Sequence, residues 1–399
     1  MSQSSGYQKA GFLVVLAVLA AYFSNSIAGL VNPAIASLAA AYPDASLNTI
    51  MLVSTIPMLF AIPTNFLAGS VVKKIGVKST LIVGLIIFIV SSVVPFTMRT
   101  SFTPILVTRA INGLGYGLIS PITPMLVNAY IEPSRRSAIL GYGQSVTQGF
   151  GIFLSAVVGI VAAGSVYNIW LLNLVMCIPL VLGLMLPTPP KFEEEAAAAP
   201  EGDSAAAAPA ANEKVPTAAW IIIFLGFLWF VFSYPAFLYL SPLILGSGMG
   251  DAAMAGFVQT MFNVGGVISG LIFARVYMKA RKFTISVGLV MLVINYLLFA
   301  FTHSAPLFYA ANIIGGIGYS FVYVGFITAL SMNCATTVVP TAMGFMSALM
   351  NCGAFVSSYV ITFISGAAGM SASLTFPFIL CAIVLGVFAA LLVVKPLKM

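Results

Sequence analysis

The chain has 399 residues, 61% of them hydrophobic and 6% charged, with a mean hydropathy of +1.10. Soluble domains carry about 25% charged residues, so a water-facing surface over most of this molecule is excluded. Long uncharged stretches recur without the alternation of barrel strands, which makes this an all-α membrane protein.

A hydrocarbon core of about 30 Å takes about 20 apolar residues at about 1.5 Å each. Charges and turn residues divide the chain into twelve such runs. The first, 11–32, is too long for a signal-peptide core, lacks a cleavage site and precedes many similar runs, so it reads as a membrane helix. Runs two and three, 49–72 and 80–98, flank a basic loop, and run four, 103–126, contains Arg109, the one formal charge placed inside a span. Run five is 138–163 and run six 168–187. Residues 187–216 are rich in Ala, Pro and Glu and hold Glu193, Glu194, Glu195, Glu201, Asp203 and Glu213, six of the nine acids. Such composition buries no core and is expected to be a flexible cytoplasmic linker. The domains are then 1–186, 187–216 and 217–399. Runs seven to twelve are 217–240, 252–274, 284–302, 306–330, 341–364 and 373–394. Cys177, Cys334, Cys352 and Cys381 are scattered and show neither metal nor disulfide spacing. No cofactor and no metal is expected.

Lys and Arg in short loops favour the cytoplasm. An N-terminus inside places there Lys9, Lys73, Lys74, Lys78, Arg135, Arg136, Lys191, Lys214, Arg275, Lys279, Arg281, Lys282, Lys395 and Lys398, leaving only Arg99 outside and Arg109 in a span. Both termini are then cytoplasmic. The net charge of +7 reports this topology and contact with anionic lipid, not a nucleic-acid partner.

The two halves repeat at an offset of about 202 to 204 residues, with Gly69 and Gly270 at 201. Asn32-Pro33-Ala34 matches Tyr234-Pro235-Ala236, and Asn112-Gly113-Leu114-Gly115-Tyr116 matches Gly315-Gly316-Ile317-Gly318-Tyr319. Gly69, Gly84 and Gly141 match Gly270, Gly288 and Gly344. Repeats with proline-interrupted helices at corresponding places point to two bundles rocking about a central site, the arrangement of alternating access. Runs one and seven carry those prolines.

Arg109 followed by Gly113, Gly115 and Gly117 resembles the fourth-helix motif of the major facilitator superfamily. The stretch from Gly69 through Lys73, Lys74 and Gly76 to Lys78 resembles that family's signature between helices two and three. Glu132, Arg135 and Arg136 resemble its next cytoplasmic loop. Lys73 replaces the signature's usual acid and Val77 a basic position, which places the gating ion pair in question. The resemblance implies two pseudo-symmetric six-helix bundles (the MFS fold), a cavity lined by helices one, four, seven and ten, and gating roles for Gly69, Lys73, Lys74, Gly76, Glu132 and Arg135.

Residues three, four or seven apart share a helix face. Run four presents Arg109, Asn112, Tyr116 and Ser120; run ten Asn312, Tyr319 and Tyr323; run five Gln144 and Gln148; run eleven Ser347 and Asn351; run eight Gln259 and Asn263; run one Asn25 and Asn32. Tyr234 adjoins the proline of run seven. Each alone reads equally as a helix–helix hydrogen bond worth about 0.6 kcal/mol. Their convergence from both halves favours a substrate-binding cavity, because hydrocarbon offers polar groups no partner. Arg109 contacts substrate, or else serves structure or gating. The glycines lie in apolar helices and let neighbours approach.

No Asp or Glu lies mid-span, and His303 falls at the end of run nine. Proton relays usually need such groups. The chain therefore reads as a facilitator or exchanger for a small organic solute, tilted mildly towards anions. Tyr116, Tyr234, Tyr319 and Tyr323, with Trp229 and many Phe nearby, fit an amphipathic aromatic compound equally. A proton-coupled symporter and a drug antiporter remain alternatives, with a channel or receptor as other classes. An enzyme is excluded, since the spans hold no nucleophile–base constellation. A monomer in a bacterial inner membrane is expected.

Overall fold

A computed structural model describes residues 11–97, 101–187, 215–335 and 338–397, without the side chains of Ala28, Pro133, Ser134, Ser137, Ala138, Gly141, Gln144, Ala274 and Pro340. Lys9, Arg99, Lys191, Lys214, Lys398, the linker acids and the side chain of Gln144 thus lie outside the described residues. The described chain forms twelve crossing units. They are α1 (12–41), α2 (Leu47–Ile75), α3 (Val77–Thr97), α4 (Thr103–Tyr130), α5 (Pro133–Gly164) and α6 (Val166–Met185), then α7 (Thr217–Gly246), α8 (Ala252–Ala280), α9 (Thr284–Phe301), α10 (Ala305–Met332), α11 (Val339–Ala367) and α12 (Phe376–Val394). Eleven of these are long and apolar enough to cross a membrane. The exception is α1, because its regular apolar part, Phe12–Ser26, ends where the helix breaks.

Proline accounts for the breaks. It lacks an N–H and clashes with the carbonyl four residues back. In α1 the helix passes through 3₁₀ turns at Ile27–Gly29 and Asn32–Ala34 around Pro33, then resumes over Ile35–Ala41. The matching unit α7 breaks at Tyr234 before Pro235 and again at Tyr239 before Pro242. Pro121 divides α4 at Ser120, whereas α10 has no proline past its start and runs unbroken. The unit α1 therefore ends at Ala41 instead of 32, and α8 continues to Ala280 instead of 274. The added stretch of α1, 33–41, is apolar chain from the proline onward. In contrast, α8 outruns its apolar stretch because the stems of Arg275 and Lys279 lie along it while the charged heads reach the interface.

Glycine sets the close packing, and the repeat is visible in it. A Cβ on Gly115 would lie 2.8 Å from Phe88 N and 3.0 Å from Gly84 O, joining α4 to α3. One on Gly318 would lie 2.6 Å from Gly288 O, joining α10 to α9 at the corresponding level. Gly113 packs on Pro57 of α2, and its counterpart Gly316 on Phe262 of α8. In the first bundle α2 and α3 flank α4, α1 meets α5, and α3 meets α6. In the second, α8 and α9 flank α10, α7 meets α11, and α9 meets α12. The bundles face each other through α5 with α8, α2 with α11, and α1 with α7.

The loops that carry Lys and Arg define one face of the molecule, here the basic face; the other is the far face. Gly76, at φ +84°, makes the turn between α2 and α3, a backbone region that favours glycine. Lys78 Nζ donates to Leu184 O at 2.9 Å and to Leu186 O, capping the carbonyl end of α6. Arg136 does the same for α4, through Nε to Ile131 O at 3.0 Å and Nη2 to Asn128 O at 2.9 Å. Cations suit the negative end of the helix dipole.

Candidate functional site

Side chains join the bundles along the far half of the molecule. Ser241 Oγ of α7 donates to Pro33 O at 2.9 Å and accepts from Ala36 N at 3.2 Å, bracing the two broken helices. Between α5 and α8, Gly159 and Gly256 cross so closely that a Cβ on either would lie 2.8 Å from the other's Cα side. Thr260 Oγ1 then donates to Ile152 O at 3.2 Å, and Asn263 Nδ2 to Ser155 Oγ at 3.3 Å. Nearer the basic face, Gln148 packs over Gly266. Phe66 of α2 and Phe345 of α11 meet there at 6.3 Å between ring centroids.

Towards the far face the first bundle contributes a polar cluster. Ser54 Oγ donates to Asn32 Oδ1, and the Tyr234 hydroxyl from the second bundle faces this pair. Asn32, Ser54 and Tyr234 are 4%, 0% and 4% exposed. One layer behind lies Arg109. A proline at 57 cannot donate to the carbonyl four residues back, so Val53 O is left without a helical partner. Arg109 Nε donates to that oxygen at 2.9 Å, while Nη1 donates to Asn112 Oδ1 at 3.1 Å. The guanidinium carbon sits 6.0 Å from the Trp170 ring. In the second bundle Asn312 Nδ2 donates to Val258 O at 2.6 Å, the same helix-to-helix tie at the repeat position.

Asn112 turns away from the gap. Its Nδ2 donates to Ser92 Oγ of α3 at 2.6 Å and to Phe88 O at 3.3 Å. The reason is geometric: at 3.6 residues per turn a stripe of Arg109, Asn112 and Tyr116 is wide enough to touch two neighbours. The repeat counterpart is Asn295 of α9, whose Nδ2 donates to Ala311 O at 2.7 Å and which fills the space beside Gly315. The amide thus comes from α4 in one bundle and from α9 in the other.

The second bundle answers the polar cluster with aromatic rings. Tyr319 of α10 lies 4.8 Å from Trp229, 5.4 Å from Phe262 and 5.8 Å from Phe237, the last two edge-on. Phe237 also meets Tyr234 at 5.4 Å. Tyr234 is therefore shared: its hydroxyl belongs to the polar cluster and its ring to the aromatic one. Trp229 is 0% exposed, and its indole N–H has no hydrogen-bond partner.

Tyr116, Gln148, Asn263, Tyr319, Tyr323, Ser347 and Asn351 are half-buried on α4, α5, α8, α10 and α11. Tyr116 lies beside Ser120, four residues on along its own helix. Gln259 is buried at 7%. Asn25 is half-buried with its Oδ1 covered and unpartnered. On the basic face Lys73 and Lys74 are exposed in the last turn of α2, Gly69 is half-buried there, and Arg135 pairs with Glu132 at 3.3 Å. That pair is the one ion pair among the described residues, and Lys73 has no part in it. Sequence reasoning passed over Ser54 and Ser241, which carry no local signal, whereas Trp229 stood out beside the tyrosines.

Two six-helix bundles built from an internal repeat, meeting around broken helices, define an integral membrane protein of the secondary-transporter class. The chain belongs to the Major Facilitator Superfamily, whose model matches residues 14–276 and again 240–398. It is 25% identical over 183 residues to the hexuronate transporter of Bacillus subtilis (strain 168). That match covers 44% of this chain and 42% of the relative, so less than half of the relative's length is spanned. Among solved structures it is similar to the nucleoside transporter NupG, with TM-score 0.74 and 14% identity over 95% of this chain and 99% of the other. It is also similar to a bacterial homologue of the human lysosomal transporter Spinster in an inward-facing, occupied conformation, with TM-score 0.69 and 14% identity over 95% of each chain. A D-xylose–proton symporter matches at TM-score 0.68 and 14% identity, over 96% and 97%. These likenesses concern the fold.

Proposed function

We propose that the chain is an alternating-access carrier for a small organic anion, working as a facilitator or exchanger. The observation that supports this reading most is Arg109, a guanidinium 1% exposed with no carboxylate beside it. Among the described residues the acids are Asp44 and Asp251, both exposed on the far face, and Glu132, paired with Arg135. A buried charge without a partner is costly, and a bound anion in the gap supplies the missing counter-charge through the Asn32–Ser54–Tyr234 layer. At an effective dielectric of about 20, opposite unit charges about 4 Å apart attract by about 4 kcal/mol, and the gain falls inversely with separation. The hexuronate named for the Bacillus relative is itself an anionic solute.

In this reading residues 1–186 and 217–399 are the rocking bodies, 187–216 the linker, and the basic face is cytoplasmic by the charge bias of its loops. Half-buried Tyr116, Gln148, Asn263, Tyr319, Tyr323, Ser347 and Asn351 line the path between the bodies. Asn32 and Tyr234 form its floor, with Asn25 and Gln259 at its margins. Arg109 acts on the solute by its field, and Asn112 holds Arg109 in place.

The test is counterflow in proteoliposomes preloaded with an unlabelled small carboxylate, compared with its neutral amide. Saturable, charge-selective exchange with less than twofold change in rate between pH 5.5 and 8 is expected. Arg109→Gln should weaken the carboxylate at least fivefold and spare the amide, while Arg109→Lys retains part of the preference. Equal handling of acid and amide by the native protein would overturn the anion assignment, and non-saturable flux would overturn the carrier.

A further inference from the structure

The two sides of the gap differ in chemistry more than a duplicated scaffold requires. One side offers amide, hydroxyl and a buried cation; the other offers a wall of rings. From this division we infer that the solute is a planar aromatic carboxylate, not a polyhydroxylated sugar acid. The inference rests on the anion reading above and narrows it to a substrate class.

Tyr234 supplies the ruler. Its hydroxyl faces the polar cluster, and its ring leads to Tyr319 through Phe237 in steps of 5.4 and 5.8 Å. An anionic head at Asn32 and Ser54 therefore leaves the body of a small solute against the aromatic wall. Tyr319, Phe237 and Phe262 each keep part of their surface uncovered, and they meet at right-angled or steep tilts of 90°, 76° and 68°. Edge-to-face and offset contacts of this kind are what a further flat ring makes with its neighbours. A sugar ring carries hydroxyls on most of its carbons, and each needs a hydrogen-bond partner when desolvated. The rings around Tyr319 are those of Trp229, Phe230, Phe237 and Phe262. Beside the hydroxyls of Tyr319 and Tyr323 they add only the indole N–H of Trp229, fewer polar groups than a ring hydroxylated on most of its carbons needs. That N–H is fully buried and unpartnered, which suits a solute with one ring substituent able to accept, such as a phenolic or carbonyl oxygen.

The probes are 4-hydroxyphenylacetate, its amide and glucuronate, each measured by competition against uptake in proteoliposomes of the full-length native protein. 4-Hydroxyphenylacetate is expected to bind at least tenfold more tightly than glucuronate, about 1.4 kcal/mol. Tyr319→Leu is expected to cut the preference for 4-hydroxyphenylacetate over glucuronate from about tenfold to less than threefold, and Tyr319→Phe to keep that preference whatever it does to the absolute rate. Glucuronate binding as tightly as the aromatic acid overturns the substrate class and leaves the anion carrier standing. Equal weakening of both acids by Tyr319→Leu overturns it too, since the ring would then act on packing alone. Binding of the amide as tightly as the aromatic acid removes the anion reading beneath it.

Discussion

Replacing Gly113 by alanine is the sharpest test of how the helices are held. The added Cβ would lie 2.7 Å from Pro57 Cα and 2.9 Å from Pro57 C. Carbon atoms are comfortable at about 3.5–4.0 Å, so α2 and α4 must part by roughly 1 Å, and the obstacle is backbone that no rotamer change can clear. Overpacking of this kind costs about 1–3 kcal/mol, here at the upper end. Alanine returns up to about 1 kcal/mol of helix propensity, leaving a net loss of about 2 kcal/mol. Gly149 in α5 is the control, because a Cβ there meets nothing within 4 Å. Gly149→Ala gains the same propensity without the clash, so the two variants should differ by about 3 kcal/mol, with the propensity contribution cancelling. Thermal unfolding in one detergent, followed by tryptophan fluorescence, should place Gly113→Ala several degrees below Gly149→Ala. Were Gly113→Ala to melt at or above Gly149→Ala, the close-approach role of the glycines would be wrong.

Ser241→Ala removes two hydrogen bonds between α1 and α7, worth about 1 kcal/mol each at most. Spin labels at exposed Asp44 and Ser247 should then show an added longer-distance population, and an unchanged distribution would mean that Ser241 does not brace the far side. Pro57→Ala would ordinarily relieve about 3 kcal/mol of helix-interior strain. Because the restored N–H competes with Arg109 for Val53 O, the melting temperature should barely rise; a full gain would show that the arginine does not depend on that carbonyl. Tyr319→Phe and Asn351→Ala should each change uptake affinity or rate by about three- to tenfold with normal membrane insertion. Native kinetics in both would remove α10 and α11 from the solute path.

The repeat, the twelve crossings and the broken helices α1 and α7 were legible because each rests on a local rule. Apolar length marks a span, proline marks a break, and a common offset marks duplication. The destination of Arg109 was not legible. Its placement inside a span followed from charge, but its partner Val53 lies 56 residues away on another helix, and only packing decides which face of α4 meets α2. Asn112 shows the same limit: polarity and spacing put it on a stripe, and the stripe proved wide enough to serve α3 as well as the gap. The aromatic wall was half legible. Tyr319, Tyr323 and Tyr234 stood out as polar rings in apolar runs, whereas Phe237 and Phe262 were indistinguishable from lipid-facing phenylalanine until the helices were assembled. Helix ends drifted outward for a related reason, since hydropathy records the hydrocarbon and not the interfacial turns beyond it.

The amide that Asn112 sends from α4 to α3, and that Asn295 sends from α9 to α10, has an evolutionary corollary. After a gene segment doubles, a tie of this sort can migrate from one strut to its neighbour while the joint keeps its shape. Each copy then holds its mechanics steady, and the walls facing the passage are released to diverge. A machine assembled from twin frames can in this way acquire an electropositive jaw and an oily one, and grip a molecule whose two ends are unlike.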